Sequence, residues 1–238
     1  MSDRTFLWIE DRKGKSGYLF WSSFLEELFP DMVVESKKNN SELVKAVKNL
    51  TDIKNRYVIV FDNSFDNLQT VMERKLLKQY VYDKENVILM DIICFEYILL
   101  EFKYLISWIY APDDELLKKR ADAVEAREKL IHSIGTGNMN YKDFREIVEY
   151  DKHIKEHNIE QLAAKLLFDL TRNTGFEVSK GSIGDCWIKT CCEWDGRRED
   201  DICGLDCNRL SVYDKMKMIY EETCLKEQFY KAGLEVIL

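Results

Sequence analysis

Residues 57–62 read YVIVFD, an apolar run that ends at an acidic residue. Apolar, β-branched runs without polar alternation are typical of a central strand in a parallel sheet, because helices cover both of its faces. Residues 6–9 (FLWI) and 86–90 (NVILM) have the same character, and residues 32–34 (MVV) form a shorter run. The sequence therefore predicts four buried strands in the first half of the chain.

Apolar residues recur at helical spacing between these runs. Helices are predicted at residues 18–29, at 41–50 and from about 92 to 110. A further helix after residue 62 is expected to face inward with Val71, Met72, Leu76 and Tyr80. Because strands alternate with helices, the expected fold is α/β with parallel pairing, and a site is expected beyond the carboxyl ends of the strands.

The second half of the chain is predicted to be mainly helical. Helices are expected at residues 113–134, 159–170 and 214–230, whereas residues 175–210 are irregular and rich in cysteine. Two parts are predicted: a catalytic domain at residues 1–112, and a helical region at residues 113–238 with a cysteine-rich segment at about 184–210.

Composition limits the classes of function. The 238 residues are 46% hydrophobic and carry a net charge of −8, so a large core is available and general coating of nucleic acid is excluded. The first ten residues lack an apolar run behind a basic start, and charges interrupt the apolar stretch at 87–110. A cytoplasmic protein without a membrane segment is expected.

Acidic residues follow three of the predicted strands. Glu10 ends the first strand and Asp62 ends the third, Asp66 comes four residues later, and Glu96 lies one turn into the helix after the fourth. If the strands are neighbours, Glu10 and Asp62 meet at one edge, where carboxylates suit Mg²⁺ or Mn²⁺ and phosphodiester hydrolysis. The alternative is that these acids cap helices, above all Asp66.

Basic residues lie near the same predicted edge. Arg12, Lys13 and Lys15 follow the first strand, and Lys37 and Lys38 follow the second. We expect them to contact substrate phosphates, with a solvated loop as the equal alternative.

Five of the seven cysteines are close together in sequence: Cys186, Cys191, Cys192, Cys203 and Cys207. Two close pairs of thiolates are typical of tetrahedral, structural Zn²⁺, with either Cys191 or Cys192 as a ligand. Buried thiols and redox chemistry are the alternatives.

The order of the acidic motifs resembles the TOPRIM fold. The turn Asp62-Asn63-Ser64-Phe65-Asp66 is similar to the Asp-x-Asp turn of TOPRIM nucleases of anti-phage defence, including the overcoming-lysogenization nucleases and the effector of PARIS systems. Related proteins also place a Glu where Glu96 stands. Ser64 departs from the pattern, because the middle residue of the family's turn is an aspartate.

This resemblance implies a Mg²⁺-dependent nuclease acting on RNA or DNA. It implies that Glu10, Asp62 and Asp66 hold the metal and that Glu96 assists catalysis. It further implies an ATPase partner and a defence or toxin effector that cleaves tRNA. A homodimer is a separate expectation. Two alternatives stay open: a non-catalytic module that binds a protein partner through the zinc knuckle, and a receiver domain phosphorylated at Asp62.

Overall fold

The computed structural model describes residues 4–137, 158–190, 203–205 and 210–236. Within them, four parallel strands form one sheet in the order β2-β1-β3-β4. The strands are β1 (Thr5–Ile9), β2 (Met32–Ser36), β3 (Arg56–Ile59) and β4 (Val87–Leu89). The predicted α/β class and the parallel pairing are therefore confirmed.

Helices cover both faces of the sheet. The first half contains α1 (Ser16–Leu28), α2 (Asn40–Lys48), α3 (Leu68–Tyr82), α4 (Phe95–Glu101) and α5 (Leu105–Ile109). The second half contains α6 (Glu115–Lys119), α7 (Ala121–Gly135), α8 (Ile159–Thr171), the hairpin β5 (Val178–Ser179) and β6 (Ser182–Ile183), α9 (Asp185–Ile188), α10 (Val212–Glu221) and α11 (Leu225–Lys231). The helices predicted at residues 18–29, 41–50 and 159–170 are confirmed, with ends within two residues.

Alternate residues of the strands enter two separate cores. Trp8 and Ile59 pack with α2 and α3 on one face, whereas Leu7, Ile9 and Val58 pack with α1, α4 and the later helices on the other. A strand that is apolar at every position is explained by this burial on both faces. The larger core includes residues from both halves of the chain, and the division predicted at residue 112 stays a prediction.

The continuous helix predicted at residues 92–110 is wrong. The chain leaves helical geometry at Phe102, between α4 and α5. Arg127 of α7 donates to the carbonyl oxygens of Leu100 (2.6 Å) and Phe102 (2.9 Å), which satisfies acceptors that the break would otherwise leave buried. The break therefore depends on a side chain 25 residues or more away in sequence.

The inward face predicted for α3 is wrong at three of its four residues. Tyr80 is half-buried and packs against the smaller core, as predicted. Val71, Met72 and Leu76 are exposed, whereas Thr70, Arg74 and Leu77 are buried. The Asn67 side chain caps the helix by accepting from Gln69 and Thr70 N–H. The buried Arg74 guanidinium bonds carbonyl oxygens of the sheet, so a charged side chain takes an inward position that the apolar pattern assigned elsewhere.

The single closing helix predicted at residues 214–230 is two helices, α10 and α11. Glu101 of α4 accepts a hydrogen bond from Cys224 N–H (2.7 Å) at the start of α11. The charged helix predicted at residues 113–134 is likewise divided, into α6 and α7, at Arg120. The later helices pack against α1, and Phe229 of α11 stacks on Phe29, just after α1, with ring centroids 4.6 Å apart.

Within the described ranges, no helix is both long enough and apolar enough to cross a bilayer.

Candidate functional site

The strand order reverses between β1 and β3. β2 lies outside β1 and β4 lies outside β3, so the carboxyl ends of β1 and β3 border the crevice where ligands bind in open α/β sheets. Glu10 directly follows β1, and Asp62 lies three residues beyond β3. Asp62 pairs with Ile92 in a bridge that prolongs the β3–β4 ladder, which fixes its backbone at this edge.

Glu10 and Asp62 contact each other through their carboxyl groups, which lie within hydrogen-bonding distance. Burial, followed by the charge of Asp11, raises the pKa of Glu10 to about 7. Burial and the charge of Glu10 raise the pKa of Asp62 well above its usual range, and Asp62 is only 9% exposed. Two carboxyls so close share a proton readily, because burial and mutual repulsion both oppose the second charge.

Two more carboxylates face this pair from helix N-termini. Glu96 lies in the first turn of α4 and Glu160 in the first turn of α8. Burial raises the pKa of Glu96 to about 7 and also raises the pKa of Glu160. The charges of both residues raise the pKa of Asp62 and of Glu10. Glu96 was predicted from the sequence, whereas Glu160 was not, although an acid in the first turn of a capped helix was the available signal.

Asp11 is a further acidic neighbour that the sequence analysis did not assign to the site. Its carboxylate lies over Gly17 in the first turn of α1, so closely that a Cβ atom at Gly17 would overlap it. Burial and then the charge of Glu160 raise the pKa of Asp11. The glycine therefore makes room for an acid beside the Glu10–Asp62 pair.

Asp66 does not lie free beside the pair. Its carboxylate accepts a hydrogen bond from Ile159 N–H at the start of α8, at 2.9 Å for one oxygen and 3.2 Å for the other. The loop after β3 is thereby tied to the helix that carries Glu160. Ser64, two residues after Asp62, is buried, and its Oγ has no hydrogen-bond partner in the described part of the chain.

The buried Arg74 side chain stabilises the carboxyl edge of the sheet. It donates to Phe61 O (2.7 Å) and Met90 O (3.1 Å) and bonds the Asp91 carboxylate (2.9 Å). These contacts connect the carboxyl ends of β3 and β4. The positive charge also reaches Asp62, so Arg74 positions the acidic edge and offsets part of its repulsion.

The predicted phosphate-binding residues are differently placed. Arg12, Lys13 and Lys15 are exposed in the loop after β1. Lys37 is engaged with Glu35 (2.8 Å) and lies over the Trp8 ring, 3.7 Å from its centroid. Lys38 is exposed at the start of the loop after β2, with φ of 76°. Their contact with phosphate stays a prediction.

The zinc prediction finds no support. Cys186 and Cys203 are half-buried, whereas Cys191, Cys192 and Cys207 lie outside the described residues. Among the residues that are described, no group of three or more His, Cys, Asp or Glu side chains is arranged to hold a metal ion. Glu10 and Asp62 are in contact, and a metal site built on this pair needs a further ligand to move closer.

The donor set at the edge nevertheless fits a divalent cation of the Mg²⁺ class. All of its groups are oxygen donors, and they repel one another while buried, as the raised pKa values of Glu10, Asp62 and Glu96 record. Ser64 adds a buried hydroxyl oxygen without a partner two residues from Asp62. A cation would relieve this repulsion and would be coordinated by these oxygen atoms.

The chain can be compared with protein-family models, with curated proteins and with solved structures. Neither the protein-family models nor the curated proteins include a match to the chain. Among solved structures, the C-terminal region of the Burkholderia pseudomallei OLD protein is similar, with 12% identity over 93% of this chain and 98% of that chain, and a TM-score of 0.33. Similarity at that level identifies no family, so the site rests on its own residues.

Proposed function

We propose that the chain is a Mg²⁺-dependent, TOPRIM-like nuclease that hydrolyses phosphodiester bonds. The observation that carries the proposal is the carboxyl contact between Glu10 and Asp62 at the reversal point of a parallel sheet. Structural carboxylates are normally paired with donors, whereas this pair is buried with its charges opposed, as functional carboxylates often are.

Glu10 and Asp62 would hold the ion, with Glu160 as the approaching third ligand. Mg²⁺ or Mn²⁺ in such a site polarises the phosphodiester and stabilises negative charge on its oxygens. This role needs oxygen ligands, which every residue of the cluster supplies. Asp66, predicted as a ligand, is assigned instead to the N-terminus of α8 because its carboxylate already binds Ile159.

Two carboxyl groups of the site suit the proton transfers of hydrolysis. The Glu10 carboxylate, which is ionised when it holds the ion, takes the proton that the attacking water loses as the water oxygen bonds to phosphorus. The bond from phosphorus to one ester oxygen then breaks. Glu96, whose pKa is raised by burial to about 7, supplies a proton to that leaving oxygen.

Cleavage assays test this proposal directly. Purified chain is incubated with 5′-labelled single-stranded RNA, single-stranded DNA, duplex DNA and tRNA, in Mg²⁺, in Mn²⁺ and in EDTA. We expect metal-dependent cleavage that falls by at least about 10³-fold in Glu10→Gln and in Asp62→Asn. Asp31→Asn is the matched control, because Asp31 is an exposed acid at the opposite edge of the sheet. Cleavage that persists in either site variant would refute the assignment.

The biological setting extends the same proposal. We infer a defence or toxin effector restrained by an ATPase partner, with tRNA as a substrate, from the resemblance of the acidic motifs alone. Co-expression of the chain with candidate ATPases encoded beside it tests this. We expect the partner to suppress the cleavage and any toxicity that depends on Asp62, and a lack of effect on toxicity would contradict the inference.

A phosphorylated receiver is a second candidate, favoured by a specific observation. The sheet order brings Glu10 and Asp11, after β1, beside Asp62, after β3. Incubation with acetyl phosphate and Mg²⁺, followed by intact-mass measurement, separates the two. A stable phosphoryl group lost in Asp62→Asn supports the receiver, whereas the nuclease proposal predicts no covalent adduct.

A further inference from the structure

A stripe of side chains along α8 leads away from the carboxylate cluster, which is formed by Glu10, Asp62, Glu96 and Glu160. Glu160, Ala164 and Phe168 recur at intervals of four residues, so their side chains lie on one side of the helix. Glu160 belongs to the cluster, and Phe168 lies about 12 Å further along the helix axis. Phe168 is 36% exposed, although it is a large aromatic residue on a helix that otherwise packs in the core.

A cavity lies against this stripe. Its volume is about 270 Å³, slightly below the roughly 300 Å³ at which pockets for small ligands begin. Its lining is formed by Glu96, Ala164, Phe168, Val178, Ser179 and Lys180. Glu96 is shared with the carboxylate cluster, so the cavity opens beside the proposed reaction centre. A pocket of this size accepts one small planar group.

Lys180 supplies the positive charge of this cavity. It is the first residue of the two-residue turn between β5 and β6, it is exposed, and its charge lowers the pKa of Glu160. The Lys180 charge therefore borders the cavity and acts on one carboxylate of the cluster. A phosphate at this position would meet Lys180 on one side and the cluster on the other.

We propose that the cavity binds one unpaired nucleobase of a single-stranded nucleic acid, stacked on Phe168, with the adjoining phosphate at Lys180. The inference deepens the proposed nuclease function and rests on it for the identity of the ligand. It adds that the substrate is selected by an extruded or unpaired base next to the bond that is cut.

The chemistry of the lining favours a base over other small groups. The nearby carboxylates repel a wholly anionic ligand, whereas a nucleobase is neutral, planar and able to stack on an aromatic face. In a duplex the base is stacked and paired, so it reaches such a pocket only when it is unpaired or flipped out. An acidic protein without a general basic surface gains selectivity for its substrate from such a contact.

Binding of three probes to the full chain tests the pocket separately from cleavage. Adenosine, AMP and ribose 5-phosphate are titrated by NMR or calorimetry, once in Mg²⁺ and once in EDTA. We expect Phe168→Ala to weaken adenosine and AMP binding by about tenfold. Lys180→Ala should weaken AMP but leave adenosine unchanged, and ribose 5-phosphate should bind more weakly than AMP.

Matched controls guard against a general effect of the substitutions. Tyr213→Ala removes an aromatic residue with the same 36% exposure on another helix, and Lys78→Ala removes an exposed lysine on α3. Ala164→Met fills the cavity and keeps Phe168, so it should also weaken adenosine. Circular dichroism confirms that each variant folds.

The outcomes separate this inference from the proposed function. If adenosine binding depends on Phe168 but no nucleic acid is cut, the base pocket stands and the nuclease proposal fails. If nucleic acid is cut but adenosine does not bind, or binds equally in Phe168→Ala and Ala164→Met, the base pocket is refuted. A cleavage rate that is equal on single-stranded and duplex substrates would refute it as well.

Discussion

Asp52 and Asp62 stand at opposite ends of the same strand and have opposite environments. Asp52, ahead of β3, accepts hydrogen bonds from Lys54 N–H (2.8 Å), the Asn55 side chain (2.5 Å) and the Tyr57 hydroxyl (2.8 Å). These donors lower its pKa to about 2. Asp62, beyond β3, is buried against Glu10, and its pKa is raised. One end of the strand stabilises a carboxylate charge and the other resists it.

This difference separates a structural acid from a functional one. A carboxylate that serves the fold is surrounded by donors, which favour its charged form. A cluster that opposes its own ionisation destabilises the folded chain unless a cation or a proton is supplied, and such clusters concentrate at functional sites. The substitutions that follow should therefore have opposite effects on stability at the two ends of β3.

The largest effect on stability is expected from Arg74→Ala. Removing the guanidinium leaves the carbonyl oxygens of Phe61 and Met90 without a buried donor and withdraws a positive charge from Asp62. We expect a loss of about 3 kcal/mol in the free energy of unfolding, measured with urea. The control is Lys75→Ala, an exposed neighbour on α3. An equally small loss in both variants would show that the edge is not held by Arg74.

Neutralising the acidic pair should stabilise the protein. In EDTA at pH 8, Glu10→Gln should raise the free energy of unfolding by about 2 kcal/mol, because it removes a carboxyl that is opposed to its neighbour. Asp62→Asn should raise it for the same reason. Asp52→Asn should lower the melting temperature under the same conditions, because its donors lose a charged acceptor. A loss of stability in all three variants would contradict the proposed difference between the acids at the two ends of β3.

The two ends of β3 should also make the free energy of unfolding depend on pH in two separate ranges, an upper limb and an acid limb. Glu10 has a raised pKa, so the folded chain holds a proton that the unfolded chain has lost between pH 4.5 and about 7. Unfolding free energy therefore falls as pH rises through that window. Asp52 has a lowered pKa, so its contribution is present above pH 3.8 and is lost as pH falls towards about 2.

Urea unfolding from pH 2 to 9 in EDTA measures both limbs. Glu10→Gln should make the upper limb shallower and leave the acid limb unchanged, with the remaining slope due to Asp62 and Glu96, whose pKa values are also raised. Asp52→Asn should instead make the acid limb shallower. A wild-type curve that rises steadily from pH 5 to 8 would contradict the raised pKa of Glu10.

The smallest effect is expected at Gly17. Alanine in place of glycine within a helix normally adds about 0.5–1 kcal/mol, and Gly135→Ala, with open space around its Cβ, should show that gain. At Gly17 the Cβ would displace the Asp11 carboxylate, so we expect no gain or a small loss. Thermal melting of the two variants decides this, and equal gains would show that Asp11 moves away freely.

Local sequence predicted the sheet, its first acidic pair and Glu96, but it did not predict Glu160. The apolar runs that form β1 and β3 end at Glu10 and near Asp62, so both the strands and the acids that follow them are visible in short segments. Glu160 joins the site through the packing of α8, which lies almost 100 residues beyond Asp62. Contacts of that range leave no local pattern.

The remaining errors have the same origin. The carbonyl groups at the break after α4 accept hydrogen bonds from Arg127 of a later helix. The face that α3 directs towards the core depends on the hydrogen bonds from Arg74 to backbone oxygens that follow β3 and β4. In both cases a charged side chain finds backbone acceptors in the interior, and a pattern based on apolar spacing places such a residue at the surface. The Asp66 carboxylate also has a distant backbone partner, because it accepts a hydrogen bond from Ile159 N–H.

Calorimetric titration of Mn²⁺ into the full chain at pH 7, in buffers of different ionisation enthalpy, is the most direct test of a shared cation at Glu10 and Asp62. Because these carboxyls are partly protonated at that pH, binding of one ion should release protons into the buffer. We predict one site with proton release in the wild type and in Asp31→Asn, and loss of both in Asp62→Asn. Absence of binding, or equal binding and proton release in Asp62→Asn, would contradict the account.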